Sequence, residues 1–576
     1  MMTVFRTFSS PARRLLLLFL GNPGQTSRIG GRWVVCALLS GGITVQTLSI
    51  PWEQNASIDR RATVLIGAVL IQLILGTVYG YSVFWQPLER TWFATPPPET
   101  SIGAGEQGNP PLSVVPGATP SIDAQRLRLE RQGRMKYAFG LCLLSFAASM
   151  VFAGRLQDVR GPRFTAMLGG VLLASGFVVA GLAQHRATYY VCHGVLIGAL
   201  AMLLLLLQHK LLARVDARRY PIVRYVPSGI VVALAVIGVV LGNSVVSNGP
   251  ADRILLLWAT IGLIAGAGVG FAYVCPIATL VKWFPHHKGL VSGIAVAGFG
   301  LGAWVFSQES VFGAVGFIER YGIDAFFRVH ALVCLLAVGG GALLLSNPPA
   351  ADGAPTASRA DGRTPTRDYA WRETIRSKEF RRIWLMFFSA ALAGLMVIGI
   401  LKPFAGAQLE AAALASGAAL DAASREALLL RGASAVAWLA LFNAVGRVFW
   451  GLASDRVGRR RALVLMFTLQ AAMLLTLCSL KTPLGLAIGA CWVGFHFGGN
   501  FAIFPSLTAD QFGTANIGSN YGWVFTSYGL AGVSGVALGN AAQRWTGSYF
   551  AAFAFAAALC LGSAVLAWRM KRSPTE

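Results

Sequence analysis

Long apolar stretches alternate with short polar turns through most of the chain, from residue 62 to residue 569. Each stretch is close to the roughly 20 residues that an α-helix needs to cross the hydrocarbon core of a bilayer. Spans are predicted near residues 62–87, 136–156, 164–184, 188–212, 225–247, 253–281, 289–313, 328–346, 381–402, 431–453, 462–480, 483–507, 518–541 and 548–569. The pattern therefore predicts an all-α integral membrane protein with about 14 spans.

Polar segments divide these spans into regions. An apolar piece at 33–51 precedes them, and we interpret it as interfacial because crossing the membrane would place the basic N-terminus outside. A stretch rich in proline and glycine at 90–135 predicts an outer loop. The resulting division is an N-terminal extension at 1–57, a first helical bundle at 58–346, a cytoplasmic linker at 347–380, a second bundle at 381–570 and a tail at 571–576.

The charge of the chain follows its membrane pattern. The net charge is +24, although only 12% of residues are charged, compared with about 25% in a soluble domain. Lysine and arginine are concentrated in alternate loops, as expected of cytoplasmic loops, so the charge does not indicate nucleic-acid binding. Arg569, Lys571 and Arg572 predict a cytoplasmic C-terminus. We expect a monomer in the cell's inner membrane, in contact with lipid.

The two halves differ in length. Asp158 and Lys282 are 124 positions apart, whereas Asp455 and Asp510, at corresponding places in the second half, are 55 positions apart. The surplus accommodates two further spans of about 20 residues each with their loops. Residues 188–247 are therefore predicted to be an inserted two-helix hairpin, which adds two spans to twelve.

One polar signature occurs twice, at Gly154–Arg163 and at Gly451–Arg460, and both copies follow the pattern G-x-x-x-D-x-x-G-x-R. Any short cytoplasmic loop is rich in arginine, but that does not account for the repeated pattern. The repeat indicates two homologous halves of a transporter. We expect the signature to form a cytoplasmic gate in which each aspartate pairs with arginine across the gate when the carrier faces outwards. The predicted gate residues are Arg155, Asp158, Arg163, Asp455 and Arg459.

The doubled signature resembles that of the major facilitator superfamily, and the chain is similar to the oxalate/formate antiporter family. The residues that carry this resemblance are Tyr79–Phe84, Gly268–Pro276, Lys282–Pro285, Ala297–Gly302, Asn443–Arg447, Phe512–Asn516 and Asn520–Gly522. The resemblance covers most of 62–541, outside the outer loop and the hairpin. It implies two six-helix bundles around a central cavity, which opens alternately to each side and carries small carboxylates by exchange or symport.

Arg447 is the main candidate for anion binding. It lies eight residues before Asp455, so roughly 12 Å above the cytoplasmic turn. A charge at that depth is costly unless it faces a cavity or a partner, and a guanidinium can bind a carboxylate with two parallel hydrogen bonds. The resemblance implies that an arginine at this motif position binds the anion. The alternative is an arginine that extends to the membrane interface.

Aromatic side chains are expected to line the substrate chamber, because the resemblance implies this role for them. These residues are Tyr79, Tyr81, Tyr273, Phe299, Phe497, Phe501 and Tyr528. Phe497 and Phe501 share one helix face because they are four positions apart. The alternative for each residue is packing or contact with lipid.

One position departs from the family pattern. Members that carry the oxalate dianion have a lysine on core helix eleven, and the corresponding residue here is Tyr528. One arginine without that lysine suits a monoanion better than a dianion. The predicted substrate is therefore formate or another monocarboxylate, and oxalate becomes less favoured.

Proton coupling has one candidate inside the predicted spans, His496, because histidine titrates near neutral pH. The alternative is a hydrogen-bonded packing residue. The eight cysteines contain no C-x-x-C pair and are interpreted as buried apolar residues, not as a disulfide framework or metal site. Since there is no nucleotide-binding loop, an ATP-driven pump is not expected, and no cofactor is predicted.

Three other functions are weighed against a carboxylate carrier. A drug or sugar carrier of the same superfamily would share the fold, but Arg447 argues against a neutral sugar. A non-transporting membrane sensor would be compatible with the hairpin and the outer loop, although no signalling domain is attached. An enzyme is not expected, because the spans contain no H-E-x-x-H or G-x-S-x-G motif and no paired catalytic carboxylates.

Overall fold

The computed structural model divides the chain into two compact units, Met1–Thr63 and Val64–Glu576. It describes residues 26–29, 32–39, 42–47, 52–78, 84–92, 122–182, 250–306, 313–349, 367–417 and 421–570. The predicted hairpin at 188–247, most of the loop at 90–135, Tyr79, Tyr81 and the tail at 571–576 lie outside the described residues.

The first unit contains a three-stranded antiparallel sheet, formed by β1 (Thr26–Ile29), β2 (Arg32–Leu39) and β3 (Gly42–Thr47). The sequence analysis assigned no strand to this extension. β2 is the central strand, in which Arg32 pairs with Ile29 of β1 and Leu39 pairs with Gly42 of β3. Valine, isoleucine and threonine are frequent in β2 and β3, and these β-branched residues suit extended backbone.

From residue 64 onwards the described part of the chain is all-helical, as the sequence predicted. The helices are α1 (Trp52–Leu75), α2 (Trp85–Trp92), α3 (Ile122–Arg160), α4 (Pro162–Leu182), α5 (Pro250–Leu257), α6 (Gly266–Trp283), α7 (Lys288–Phe306), α8 (Ala314–Tyr321), α9 (Ile323–Leu344), α10 (Trp371–Arg376), α11 (Lys378–Ala415), α12 (Ala422–Val457), α13 (Arg459–Thr476), α14 (Pro483–Phe512), α15 (Ile517–Thr546) and α16 (Phe550–Trp568). A π-helical segment, Trp258–Ala265, joins α5 to α6, and a 3₁₀ turn, Leu477–Ser479, follows α13.

Ten helical stretches in the described part of the chain are long and apolar enough to cross a membrane. They coincide with ten of the predicted spans. The spans predicted near 431–453 and 518–541 are also helices, α12 and α15, but are not among those ten. Both helices carry buried polar side chains, such as Arg447 and Asn520.

The first half, α1 to α9, contacts the second half, α11 to α16, mainly through two helix pairs. Helix α3 packs against α15, and α7 packs against α12. In both pairs glycines meet: a Cβ atom added at Gly154 would overlap the Gly518 carbonyl, and one added at Gly451 would overlap the Gly289 carbonyl. The absence of side chains at these glycines lets the helix backbones touch.

Both copies of the signature form tight turns at one end of these helix pairs, called here the signature end. Gly161 follows α3 with a φ of 87°, and Gly458 follows α12 with a φ of 92°. Residues with a Cβ atom rarely adopt such positive φ values, which explains why the pattern has glycine at this position. The repeated sequence thus corresponds to a repeated structure.

Candidate functional site

Arg447 is fully buried on α12, with none of its surface exposed. Its Nε donates to the Asn443 Oδ1 at 2.9 Å, and its Nη1 donates to the Val296 carbonyl on α7, in the opposite half. Its Nη2 has no hydrogen-bond partner among the described residues. The guanidinium therefore lies inside the protein and does not extend to the membrane interface.

Two phenylalanine rings enclose this guanidinium. The Arg447 Cζ lies 4.5 Å from the centre of the Phe501 ring and 5.5 Å from that of Phe299, both within range of cation–π attraction. Among the described residues no Asp or Glu forms an ion pair with Arg447. The positive charge is thus held by neutral groups, which leaves it available to an anion.

The structure brings five of the predicted aromatic residues together in one cluster. Tyr273 lies 5.6 Å from Phe299, Phe497 lies 5.2 Å from Phe501, and Phe501 lies 5.5 Å from Tyr528, measured between ring centres. All five side chains are at least 98% buried. We call these five residues, together with Phe146, Phe387 and Phe525, whose rings contact them, the aromatic cluster.

The sequence analysis missed Phe525, whose ring links the cluster residues in the first half of the protein to those in the second half. Its ring centre lies 4.9 Å from Phe146 and 5.4 Å from Tyr273 in the first half, and 4.8 Å from Tyr528 in the second. Phe387 on α11 is a further missed member, 5.9 Å from Phe525. The sequence signals neither residue, because apolar rings are frequent in spans and their direction depends on how the helices are rotated.

Tyr528 is fully buried in this cluster. Its ring also lies 6.1 Å from Phe146 and 6.4 Å from Phe387. Among the described residues, Arg447 is the only cation placed over a ring of the aromatic cluster. The site therefore presents one guanidinium surrounded by rings and neutral polar groups.

The two signature aspartates contact helix N-termini in the opposite half. Asp158 accepts hydrogen bonds from the backbone N–H of Gly518 and of Ser519 at 3.1 and 2.7 Å, at the start of α15. Asp455 accepts from the N–H of Gly289 and of Leu290 at 3.0 and 2.7 Å, at the start of α7. Across the two halves the carboxylates therefore meet backbone donors, where the sequence analysis expected arginine.

Ion pairs surround these contacts unequally. The Asp455 carboxylate lies 2.6 Å from Arg459, which also bonds Asp510 at 3.0 Å, and Asp510 binds Lys288 of the opposite half at 2.7 Å. These residues form one corner of the signature end, called the Asp455 corner, and the contacts of Asp158 form the other. At the Asp158 corner, Lys282 occupies the position that corresponds to Asp510, and its Nζ lies 3.9 Å from Asp158. The Asp455 corner thus has an additional ion pair between the halves, the one between Lys288 and Asp510.

The two remaining predicted gate arginines are exposed at the signature end. Arg163 donates from its Nε to the Leu345 carbonyl at 2.7 Å, within the first half. No ion pair joins Arg155 or Arg163 to Asp158 in the described part of the chain.

The linker also reaches the signature end. The Tyr369 carbonyl accepts hydrogen bonds from the side-chain amides of Asn516 and Asn520, each at 3.1 Å. Asp368 accepts a hydrogen bond from the backbone N–H of Ala515 at 3.0 Å. The segment before α10 is therefore bound to the turn between α14 and α15, next to the residues that Asp158 contacts.

His496 lies among aromatic side chains and is 98% buried. Its Nδ1 is 2.8 Å from the Trp492 carbonyl, so this nitrogen carries the proton of the neutral ring. Its ring centre lies 5.5 Å from Trp450 and 5.0 Å from Trp492. Its Nε2 has no hydrogen-bond partner among the described residues.

Comparison with known proteins assigns this architecture to a family. Residues 211–425 and 430–576 match the family model described as Major Facilitator Superfamily. A solved structure, that of the proton:xylose symporter XylE, superposes with a TM-score of 0.51 at 11% identity, over 89% of this chain and 96% of that one. This likeness concerns the fold alone.

Two curated relatives are similar over about half of the chain. The oxalate:formate antiporter of Oxalobacter formigenes is 29% identical over 51% of this chain and 64% of its own length. The apicoplast pyruvate carrier 1 of Toxoplasma gondii is 30% identical over 46% of this chain and 56% of its own length. The chain thus spans less than two thirds of each of these relatives.

Proposed function

Because the chain belongs to the Major Facilitator Superfamily, we propose that this multi-pass membrane protein is a secondary transporter of a small monocarboxylate such as formate. The carrier moves the anion across the cell's inner membrane by alternating access, with the signature end and the C-terminus on the cytoplasmic side. The single observation that carries the proposal is the environment of Arg447.

A buried cation without an acidic partner is costly in a membrane protein, because both the lost hydration and the low dielectric penalise the charge. Asn443 and Val296 satisfy two of the guanidinium donors, but neither offers a negative charge. A carboxylate supplies that charge and accepts hydrogen bonds in a geometry that a guanidinium matches. Arg447 is therefore the residue that binds the substrate's carboxylate in this proposal.

The charge of the site supports a monoanion. One guanidinium balances one carboxylate, whereas a dianion would bring a second negative charge among the rings of Phe501 and Tyr528. The names of the relatives agree with a carboxylate substrate, since one is an oxalate:formate antiporter and another is a pyruvate carrier.

The contacts at the signature end support alternating access. Asp158 and Asp455 hold the two halves together at that end in this structure. For the substrate to leave on the cytoplasmic side, these contacts and the meeting glycines must separate. We infer that the structure is a state closed to the cytoplasm.

Exchange fits the site better than proton symport. Because no acidic side chain among the described residues neutralises it, Arg447 needs a bound anion whenever the site passes between the two sides. An anion is then required in each direction, which makes transport an exchange. Proton symport would instead need a group such as His496 to be coupled to the site.

Uptake into liposomes that hold the purified protein tests the substrate class. Labelled formate, lactate and oxalate are each supplied outside, with and without the same anion inside, and with an imposed pH gradient. The proposal expects uptake of a monocarboxylate that requires internal anion. Uptake driven by a pH gradient alone would indicate proton symport, and failure to take up any of the three anions would contradict the carboxylate assignment.

A further inference from the structure

The hydroxyl of Tyr521 is another buried donor that has no hydrogen-bond partner among the described residues. Tyr521 lies on α15 and is 99% buried, and its hydroxyl forms no hydrogen bond with any described residue. Its ring centre lies 5.7 Å from that of Phe525, so it borders the aromatic cluster. The sequence analysis quoted Tyr521 in a family motif but gave it no role.

Arg447 and Tyr521 border the same aromatic cluster. The Arg447 Cζ lies 4.5 Å from the centre of the Phe501 ring, which lies 5.5 Å from Tyr528. Phe525, the neighbour of Tyr521, lies 4.8 Å from the same Tyr528 ring. The Arg447 Nη2 is likewise buried and without a hydrogen-bond partner in the described part of the chain. Two donors from different helices, α12 and α15, thus border one aromatic cluster and lack a hydrogen-bond partner among the described residues.

Burying a polar group without a hydrogen bond costs free energy, so such groups are rare in folded proteins and require an explanation. A protonated phenol donates one hydrogen bond, and a guanidinium nitrogen donates as well, whereas an ionised carboxylate only accepts. One carboxylate could satisfy both donors. A neutral donor beside the cation also adds no second positive charge, in agreement with a monoanionic substrate.

We propose that Tyr521 is a second substrate ligand, whose hydroxyl donates to the carboxylate that the Arg447 Nη2 binds. The inference rests on the proposed function, because it requires a carboxylate in the site. Tyr521 lies two residues after Ser519, whose N–H and hydroxyl both bond Asp158. The same turn of α15 therefore contacts both the substrate and the closed signature end.

Tyr521→Phe tests this ligand because it removes the hydroxyl and keeps the ring. The matched control is Tyr549→Phe, the same chemical change at a half-buried tyrosine that immediately precedes α16 and packs against Phe404 and Phe553. Concentration dependence of monocarboxylate exchange is measured in liposomes for both variants and for the wild type. We expect Tyr521→Phe to raise the half-saturation concentration by about tenfold or more, since the lost hydrogen bond has an ionised acceptor, and Tyr549→Phe to leave it unchanged.

Thermal unfolding in detergent distinguishes a ligand from a structural residue. Without anion, Tyr521→Phe should unfold at the wild-type temperature or above it, because the variant removes an unpaired buried group. With formate, its stabilisation should require about tenfold more anion than the wild type does. An unchanged half-saturation concentration, with or without a lower unfolding temperature, would overturn the inference. If wild-type protein exchanged no carboxylate at all, the proposed function itself would fail.

Discussion

The carboxylate of Asp158 accepts hydrogen bonds from both the backbone N–H and the hydroxyl of Ser519, at 2.7 and 2.8 Å. These residues are 361 positions apart in the sequence and belong to opposite halves of the protein. Asp455 makes the corresponding contact with the N–H of Leu290 at 2.7 Å. Each carboxylate thus lies at a helix N-terminus, where the helix dipole favours a negative charge.

Asp158→Asn should shift the carrier towards the state open at the signature end. Asparagine can still accept a hydrogen bond from Ser519, but it loses the charge that makes these bonds strong. The expected loss is about 1–2 kcal/mol for the closed state, which corresponds to an increase of about tenfold in the open population. Hydrogen exchange at the Gly518 and Ser519 amides should become faster by that factor, and transport should become slower.

Asp421→Asn is the matched control for this substitution. Asp421 also caps a helix N-terminus, where it accepts the Ser424 N–H at 2.8 Å, but it is exposed and far from the signature in sequence. Hydrogen bonds from the Ser424 side chain and N–H hold the pKa of the Asp421 carboxyl below its usual value, so it is ionised at neutral pH. If Asp421→Asn slowed transport as much as Asp158→Asn, the gate role of Asp158 would be wrong.

Gly154→Ala should prevent the signature end from closing. The added methyl group would overlap the Gly518 carbonyl. Relieving the overlap would require one helix backbone to move away from the other, which close packing opposes. We expect transport to fall by more than about tenfold, given that overpacking costs on the order of 1–3 kcal/mol. Labelled-anion exchange in liposomes measures the effect.

Gly140→Ala on the same helix controls for the loss of glycine flexibility, because nothing lies within 4 Å of a Cβ atom added there. Its transport rate should match that of the wild type. Equal rates for the two alanine variants would show that α3 and α15 need not meet during transport.

Asn443→Asp should weaken anion binding. The new carboxylate would lie beside the Arg447 Nε, which now donates to the Asn443 Oδ1 at 2.9 Å. An internal negative charge would neutralise the guanidinium and compete with the substrate, so the half-saturation concentration should rise by about tenfold or more. Wild-type affinity in this variant would indicate that the charge of Arg447 is not what attracts the anion.

Lys288→Ala should loosen one corner of the signature end. The ion pair between Lys288 and Asp510 is mostly buried, at 2.7 Å, and it joins the two halves. Removing one partner of such a pair leaves the other partially uncompensated, although Arg459 still binds Asp510. Hydrogen exchange at the Gly289 and Leu290 amides should become faster, while exchange at Ser519, in the other corner, changes less. A uniform change at both corners would contradict this assignment.

The sequence predicted the helices well because spans of about 20 apolar residues are a direct consequence of membrane thickness. It also predicted the repeated turns. The repeated pattern contains Gly161 and Gly458, and glycine is the residue that readily adopts the positive φ these turns require. The sheet formed by β2 and β3 was missed, because alternation in that short segment does not distinguish a strand from an interfacial piece.

The site was predictable only where a side chain is chemically unusual in its surroundings. Arg447 is a charged residue within an apolar stretch, so it can be identified as a candidate from the sequence alone. The partners of Asp158 are backbone N–H groups, which every residue carries, and nothing in the sequence marks those of Gly518 and Ser519. Tyr521 and Phe525 likewise depend on the rotation of α15 against α3, which is set by tertiary packing.

The central claim, that Arg447 binds the transported carboxylate, is tested most directly by exchange of labelled formate in liposomes for wild type, Arg447→Gln and Arg447→Lys. Arg544→Gln, which removes an exposed arginine near the end of α15, serves as the control. We predict no exchange for Arg447→Gln, a strong reduction for Arg447→Lys, which keeps the charge but loses the planar fork, and wild-type exchange for Arg544→Gln. Exchange at the wild-type rate by correctly folded Arg447→Gln would contradict the account.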